Sequence, residues 1–460
     1  MAAPPLGLRQ RFAYALPAFA LAVMYLPVYV LVPKFYTDTV GVDMGTVGAV
    51  LGSVRLLDAF LDPLVGVLSD RTRTRLGRRR PWIFLGSIPL ALALAALLAP
   101  ARDGAGATTS FAVSVFATFI FFATVAVPYE SLGMELSDSY DERTRLLGLR
   151  DGISIVGILA AASAPGAISY LLGLTQDASG ERAKFHVMAA LYAPLLVVLC
   201  AVCALAVPER PLPATPPRRP WDRATIRSIL GNRPFRLVLL AYFVNAIGSN
   251  LPGTLMPYYV ADYLHSSHDV SVYLALYFTI GIVVLPGWIW LSRVIDKRAT
   301  WLAAMAVNSG AFFLVAFLRP HDDLFYGLIV ALSGIGFAAT VAIPSSLQAD
   351  VLDYDELLSG ERREGLLLGF WLYARKLAAV LPVALALPLM KISGWHEGAG
   401  DQTAGAFHAL KLFYVGVPTL CTAVAIAIAW RYPISRTVHG KIVAALDARK
   451  KGLDVPDPLA

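Results

Sequence analysis

The sequence predicts an all-α membrane protein with twelve transmembrane helices in two bundles of six. Three observations carry this. Of 460 residues, 57% are hydrophobic and only 15% charged, with a mean hydropathy of +0.62; soluble domains run nearer ~25% charged. Twelve apolar runs recur along the chain, each long enough for the ~20 residues a spanning helix needs. One long polar interruption, 208–232, leaves six runs on either side.

In chain order the runs centre near residues 22, 57, 91, 122, 159, 197, 247, 282, 309, 335, 377 and 418. The first lacks a cleavable-signal pattern, and Tyr14, Pro17 and Pro27 suit a retained span. The second carries Arg55, Asp58, Asp62 and Pro63. The eighth, with Pro286, Gly287, Trp288 and Trp290, is the least regular. The interruption reads P-E-R-P-L-P-A-T-P-P-R-R-P-W-D-R, a Pro- and Arg-rich linker. The expected organisation is a bundle at 1–207, a linker at 208–232, a bundle at 233–431 and a tail at 432–460.

Net charge is +7, and its placement orients the chain. Arg71, Arg73, Arg75, Arg78, Arg79 and Arg80 follow run two. Arg210, Arg218, Arg219 and Arg223 crowd the linker, and Arg293, Lys297 and Arg298 follow run eight. Alternating spans put all of these on one side, with Asp38, Asp43, Asp262, Asp269, Asp322 and Asp323 on the other. The positive-inside rule then expects both termini in the cytoplasm of a cell whose inner membrane the chain spans. Loop charge beside spans accounts for the arginines without nucleic acid. Cys200, Cys203 and Cys421 lie in apolar runs and read as fillers, not redox or metal ligands. His265, His268 and Asp269 have metal-like spacing but no fourth ligand nearby, so no metal is expected.

The halves echo each other. P-Y-E-S-L-G-M-E-L-S-D-S-Y-D-E-R starts at Pro128, and P-S-S-L-Q-A-D-V-L-D-Y-D-E starts at Pro344. Each is followed by basic residues and a leucine-rich restart, at Leu146 and Leu366. A parallel repeat of six-helix bundles is a transporter architecture, with its substrate site between the halves near the midplane. The loop Gly66 to Arg80, G-V-L-S-D-R-T-R-T-R-L-G-R-R-R, resembles the signature loop of the major facilitator superfamily. Asp70, Arg71, Arg79 and Arg80 there, Asp141 and Arg143 after run four, and Asp353, Asp355 and Arg362 after run ten are expected to form gating ion pairs.

Asp58 and Asp62 are the most informative residues. A carboxylate at the centre of a membrane helix costs ~2.5–3.5 kcal/mol on insertion scales. Two of them, four residues apart, share one helix face, and Arg55 shares it too. Like charges repel and burial opposes ionisation, so one of the pair can hold a proton near neutral pH. Pro63 has no N–H, which frees the Ala59 carbonyl for a cation or water. The competing reading is an Arg–Asp cluster that only stitches helices together.

Four blocks point to a narrower family: R-L-L-D-A-F-L-D-P from Arg55, V-P-Y-E-S-L-G-M-E-L-S-D-S-Y-D-E-R-T-R-L from Val127, A-D-V-L-D-Y-D-E-L-L-S-G-E-R-R-E-G from Ala349, and L-Y-A-R-K-L-A-A-V from Leu372. Over residues 10–430 the chain resembles the glycoside–pentoside–hexuronide:cation symporters. The resemblance implies that Asp58 and Asp62 bind the coupling cation, with Lys376 and Arg150 facing the same cavity. It also has gaps. Ala22 and Ala126 stand where melibiose-carrying members place sugar-binding aspartates, and Leu61 and Ala123 replace two neutral sodium ligands. Thr124 and Ser53 lie nearby in sequence. The family pattern thus keeps its coupling core and loses its sugar clamp, and the missing neutral ligands at Leu61 and Ala123 favour a proton over Na⁺ as coupling ion.

Tyr129, Glu130, Asn245, Asn250, Gln348, Trp371 and Tyr373 offer polar or stacking groups to a small-molecule substrate; for each alone, helix packing is the competing reading. Lys376 is preferred to its neighbour Arg375. No G-x-S-x-G, H-E-x-x-H or P-loop occurs, so an enzyme is not expected. The expected function is proton- or sodium-coupled symport of a sugar, glycoside or small polar solute. It needs no cofactor and works as a monomer in the bilayer. An amphiphile such as a lysolipid is the alternative cargo.

Overall fold

The computed structural model describes residues 7–100, 106–136, 140–175, 177–209, 223–360, 363–396, 402–450 and 457–459. The first half comprises α1 (Leu8–Val30), α2 (Met44–Arg71), α3 (Arg80–Leu98), α4 (Ala107–Glu135), α5 (Tyr140–Leu171) and α6 (Ala178–Ala206). The second comprises α7 (Arg233–Tyr258), α8 (Val270–Val294), α9 (Lys297–Phe313), α10 (Asp323–Ser359), α11 (Glu364–Ile392) and α12 (Ala404–Ala429). A tail helix, α13 (Arg436–Lys450), follows. The predicted twelve spans are all present. Among the described residues, eleven are long and apolar enough to cross a membrane by length and composition; α2, at 28 residues, has the length of a span and carries the charges.

Polar side chains start the helices where the sequence supplies them. Asp43 accepts from the Thr46 N–H at 2.9 Å, Asn232 from Phe235 at 3.1 Å and Asp269 from Ser271 at 2.8 Å. Such caps satisfy donors that the first turn leaves free. Asp177 caps α6, and its bonds to Thr175, Gly180 and Ser179 hold its carboxyl down at about 2. Internal prolines recur in the spans, among them Pro63 in α2, Pro128 in α4 and Pro344 in α10.

The repeat has a structural mark. α1 runs on into a π-helical turn, Phe35–Thr39, and α7 into the corresponding turn, Tyr259–Tyr263. Asp38 and Asp262 occupy the same position in the two turns.

The halves meet mainly at the face away from the termini. One apolar core there mixes Tyr36, Leu51 and Phe111 of the first half with Leu255, Tyr258, Leu387 and Tyr414 of the second. A separate core, including Trp301, Leu347 and Trp371, belongs to the second half alone, nearer the termini. Small residues let α2 and α11 approach: a Cβ on Gly52 would lie 2.6 Å from the Ala384 Cβ. Farther along α2 the side chains emerge, with Leu56, Phe60 and Leu64 exposed. The apolar contact between the halves is thus concentrated at the far face.

Candidate functional site

Asp58 and Asp62 lie one helical turn apart on α2, where it faces α11. Lys376 of α11 sits between them: its Nζ is 2.8 Å from Asp58 Oδ2 and 2.6 Å from Asp62 Oδ2. It also donates to the Asp58 carbonyl at 3.1 Å. An ammonium has three donors, and all three are engaged. Asp58 is buried, while the Asp62 side chain is 36% exposed. The lysine thus joins the two halves at the carboxylate pair.

Arg55 departs from its expected place as a partner of the pair. Its guanidinium stacks over the Tyr29 ring at 4.1 Å and donates to the Ala379 carbonyl of α11. It ties α1, α2 and α11 together and leaves the carboxylates to Lys376. Tyr29 carried no signal in the sequence beyond being an aromatic residue in an apolar run.

A cavity of about 20 Å³ lies beside Asp58, walled by Met24, Tyr25, Val28, Tyr29, Thr118, Phe119 and Phe122. That is room for roughly one water. Asp58 Oδ1 is buried with no hydrogen-bond partner among the described residues. The Thr118 hydroxyl donates to the Ser114 carbonyl. The two neutral oxygens nearest in sequence point elsewhere: Thr124 donates to the Phe121 carbonyl and abuts Gly86 of α3, and Ser53 donates to the Ala49 carbonyl.

The positions of the absent sugar aspartates are partly filled by packing. Ala22 faces Gly157 of α5 so closely that a Cβ there would lie 2.9 Å from the Ala22 Cβ. Ala126 is partly buried against the apolar core, and Ala123, at the position of a missing sodium ligand, is buried.

Of the other substrate candidates, several tie helices together. The Tyr129 hydroxyl donates to the Tyr14 carbonyl, Trp371 stacks on Tyr242 at 4.2 Å, and Asn245 accepts from Thr422. Asn250 donates to the Ala246 carbonyl. Arg150 pairs with its neighbour Asp151 at 2.7 Å, away from the Lys376 cluster. Glu130, Tyr373 and Arg375 are exposed. Gln348 is buried, with no partner for its Nε2 among the described residues.

The gating charges on the termini face pair within their own halves. Asp70 meets Arg79 at 2.5 Å and Arg78 at 3.4 Å, and Arg80 donates to the Ala204 carbonyl. Arg71 is exposed. Asp355 takes Arg363 at 2.8 Å, and Asp353 takes His439 at 3.0 Å. Arg362 lies outside the described residues, as do the side chains of Asp141 and Arg143.

The loop before α3 is organised by a residue the sequence did not single out. The buried Glu209 carboxylate accepts the N–H groups of Arg78 at 2.8 Å and Arg79 at 2.9 Å, at the start of α3. Helix N-termini favour such an anion. Gly77 permits the approach: its φ is +106°, and a Cβ there would lie 2.2 Å from Glu209 Oε2. Glu209→Ala should cost about 1–3 kcal/mol, the desolvation cost of orphaned buried donors. Thermal unfolding in detergent measures it, and Glu209→Gln, which keeps one acceptor, should lose less.

At the far face three ion-paired links join the halves among the described residues. Lys34 sits between Asp38, at 2.5 Å, and Asp262 of the other half, with its ammonium 4.9 Å from the Tyr258 ring centre. Lys184 meets Asp269 at 3.1 Å, and Lys391 meets Asp43 at 3.0 Å. Burial opposes ionisation of Asp43 and Asp269, but the Thr46 N–H and Lys391 hold the Asp43 carboxyl below its ordinary range, and Lys184 and the Ser271 N–H do the same for Asp269. Both links therefore persist through neutral pH and weaken only as acid protonates the carboxylates.

The profile of the family described as MFS/sugar transport protein matches residues 13–436. The chain belongs to this family. It is a membrane transporter, not an enzyme, and the resemblance to the glycoside–pentoside–hexuronide:cation symporters is borne out. An uncharacterized symporter of Synechocystis is 26% identical, covering 91% of this transporter and 92% of its own length. A putative glycoside/cation symporter of Escherichia coli is 25% identical, covering 91% and 90%. The crystal structure of a D-xylose–proton symporter superposes with a TM-score of 0.65 at 15% identity, covering 93% and 98% of the two chains. At that identity the likeness concerns the fold.

Proposed function

We propose that the protein is a proton-coupled symporter of a sugar, glycoside or related small polar solute. It works by alternating access, with its termini in the cytoplasm. The observation that carries the coupling reading is the Lys376 ammonium shared between Asp58 and Asp62 across the two halves. Whatever cation neutralises the carboxylates competes with the bond that helps hold α2 to α11. Ion occupancy and opening are thereby tied to the same three groups.

Two features support a proton over sodium. A hard cation wants several oxygen ligands, and Thr124 and Ser53 direct their hydroxyls to helix carbonyls. The cavity at Asp58 Oδ1 is walled largely by aromatic rings. A proton needs only the carboxylate. The sugar or glycoside class is supported by the relative named a glycoside/cation symporter and by the family description.

Uptake by proteoliposomes with imposed gradients tests the coupling ion. Accumulation should follow an inward proton gradient and collapse with a protonophore. Accumulation that tracks sodium at fixed pH and survives the protonophore would replace the proton by sodium. A thermal-shift screen across sugars, glycosides, uronates and lysolipids identifies the cargo class.

A further inference from the structure

A second cavity, of about 400 Å³, opens between α9 and α12 near the termini face. Its floor is Ala299, Leu302, Ala303 and Ala306 of α9 and Ile426 of α12, with Arg298 and Trp430 at one end. The alanines make the wall concave, and the lining between the ends is wholly apolar. Trp430 is 71% exposed, at the end of a spanning helix, where aromatic side chains sit at the depth of lipid headgroups.

The charge at that end is unbalanced. Arg298 uses one guanidinium nitrogen, donating to the Tyr432 carbonyl at 2.8 Å and the Trp430 carbonyl at 3.4 Å. Its other nitrogens have no partner among the described residues. The neighbouring Arg431 is exposed and forms no ion pair among them. Lys297, by contrast, is satisfied by Asp350 at 2.6 Å. The nearby carboxylate of Asp296 forms no ion pair with either arginine among the described residues.

We propose that this groove is a binding site for an anionic phospholipid. One acyl chain lies along Ala299, Ala303 and Ala306, the phosphate meets the free donors of Arg298 and Arg431, and Trp430 packs at the glycerol level. Guanidinium groups recognise phosphate well because they present paired donors. Basic pockets between spanning helices are a known setting for such headgroups.

The test uses the full-length protein in bilayer discs of phosphatidylglycerol and phosphatidylcholine in equal parts, with retained lipid read by native mass spectrometry. Wild type should retain phosphatidylglycerol preferentially. Arg298→Gln and Arg431→Gln should each lower that preference about fivefold, the equivalent of ~1 kcal/mol per cation near a membrane surface. Ala303→Trp, which fills the groove and keeps both charges, should lower it as well. A preference that survives all three variants, or no preference in wild type, overturns the site. Retention of phosphatidylglycerol that inorganic phosphate alone competes away would mark a free-anion site and also overturn it.

Discussion

Asp62→Asn abolishes ion-driven accumulation and leaves substrate counterflow in place. The amide keeps the shape of the carboxyl and still accepts a hydrogen bond from Lys376, so the fold and the contact between halves persist. It can neither take up nor release a proton. A membrane potential of ~100 mV contributes about 2.3 kcal/mol per charge, roughly a 50-fold concentration ratio. In the variant that ratio should fall to one. The measurement is labelled-solute uptake beside equilibrium exchange in the same proteoliposomes, and wild-type accumulation in the variant would end the assigned role.

Lys376→Met should have the second large effect, on transport and stability together. It strands two carboxylates at i, i+4 against α11 with no cation between them. Breaking a fully buried pair from one side costs ~3–5 kcal/mol. The 36% exposure of Asp62 lets water screen part of this, so about 1–3 kcal/mol is expected. Adding Asp58→Asn to the same chain should restore most of the thermal stability and not accumulation, because it removes the buried one of the two stranded charges without restoring coupling. If Lys376→Met alone unfolds like wild type and still accumulates substrate, the lysine has no part in the cycle.

The sequence made some of this plain and hid the rest for physical reasons. Twelve spans were legible because a bilayer imposes a length and a composition on each. Asp58 and Asp62 stood out because carboxylates are costly in apolar helices, and Lys376 followed from family resemblance. The role of Arg55 was not legible: its spacing put it on the Asp face, while Tyr29 and the Ala379 carbonyl, from distant parts of the chain, draw its guanidinium elsewhere. Glu209 lay within the expected linker, and only the tertiary fold brings it to the start of α3. Lys34, Asp38 and Asp262 read as ordinary charges beside span ends, since nothing local says that one lysine sits between two aspartates 224 positions apart.

That lysine has an electrostatic consequence. Asp38 and Asp262 are counterparts in the repeat, but the counterpart of Lys34 is Tyr258, so at this pair of turns two carboxylates face one ammonium. While the far face is shut, both aspartates share the single positive charge. When the halves part there, Lys34 stays with the nearby Asp38 of its own helix, and Asp262 is left bare. Opening the far face therefore uncovers a carboxylate that the closed form keeps paired, so the charge there is redistributed by the motion and its sum is unchanged.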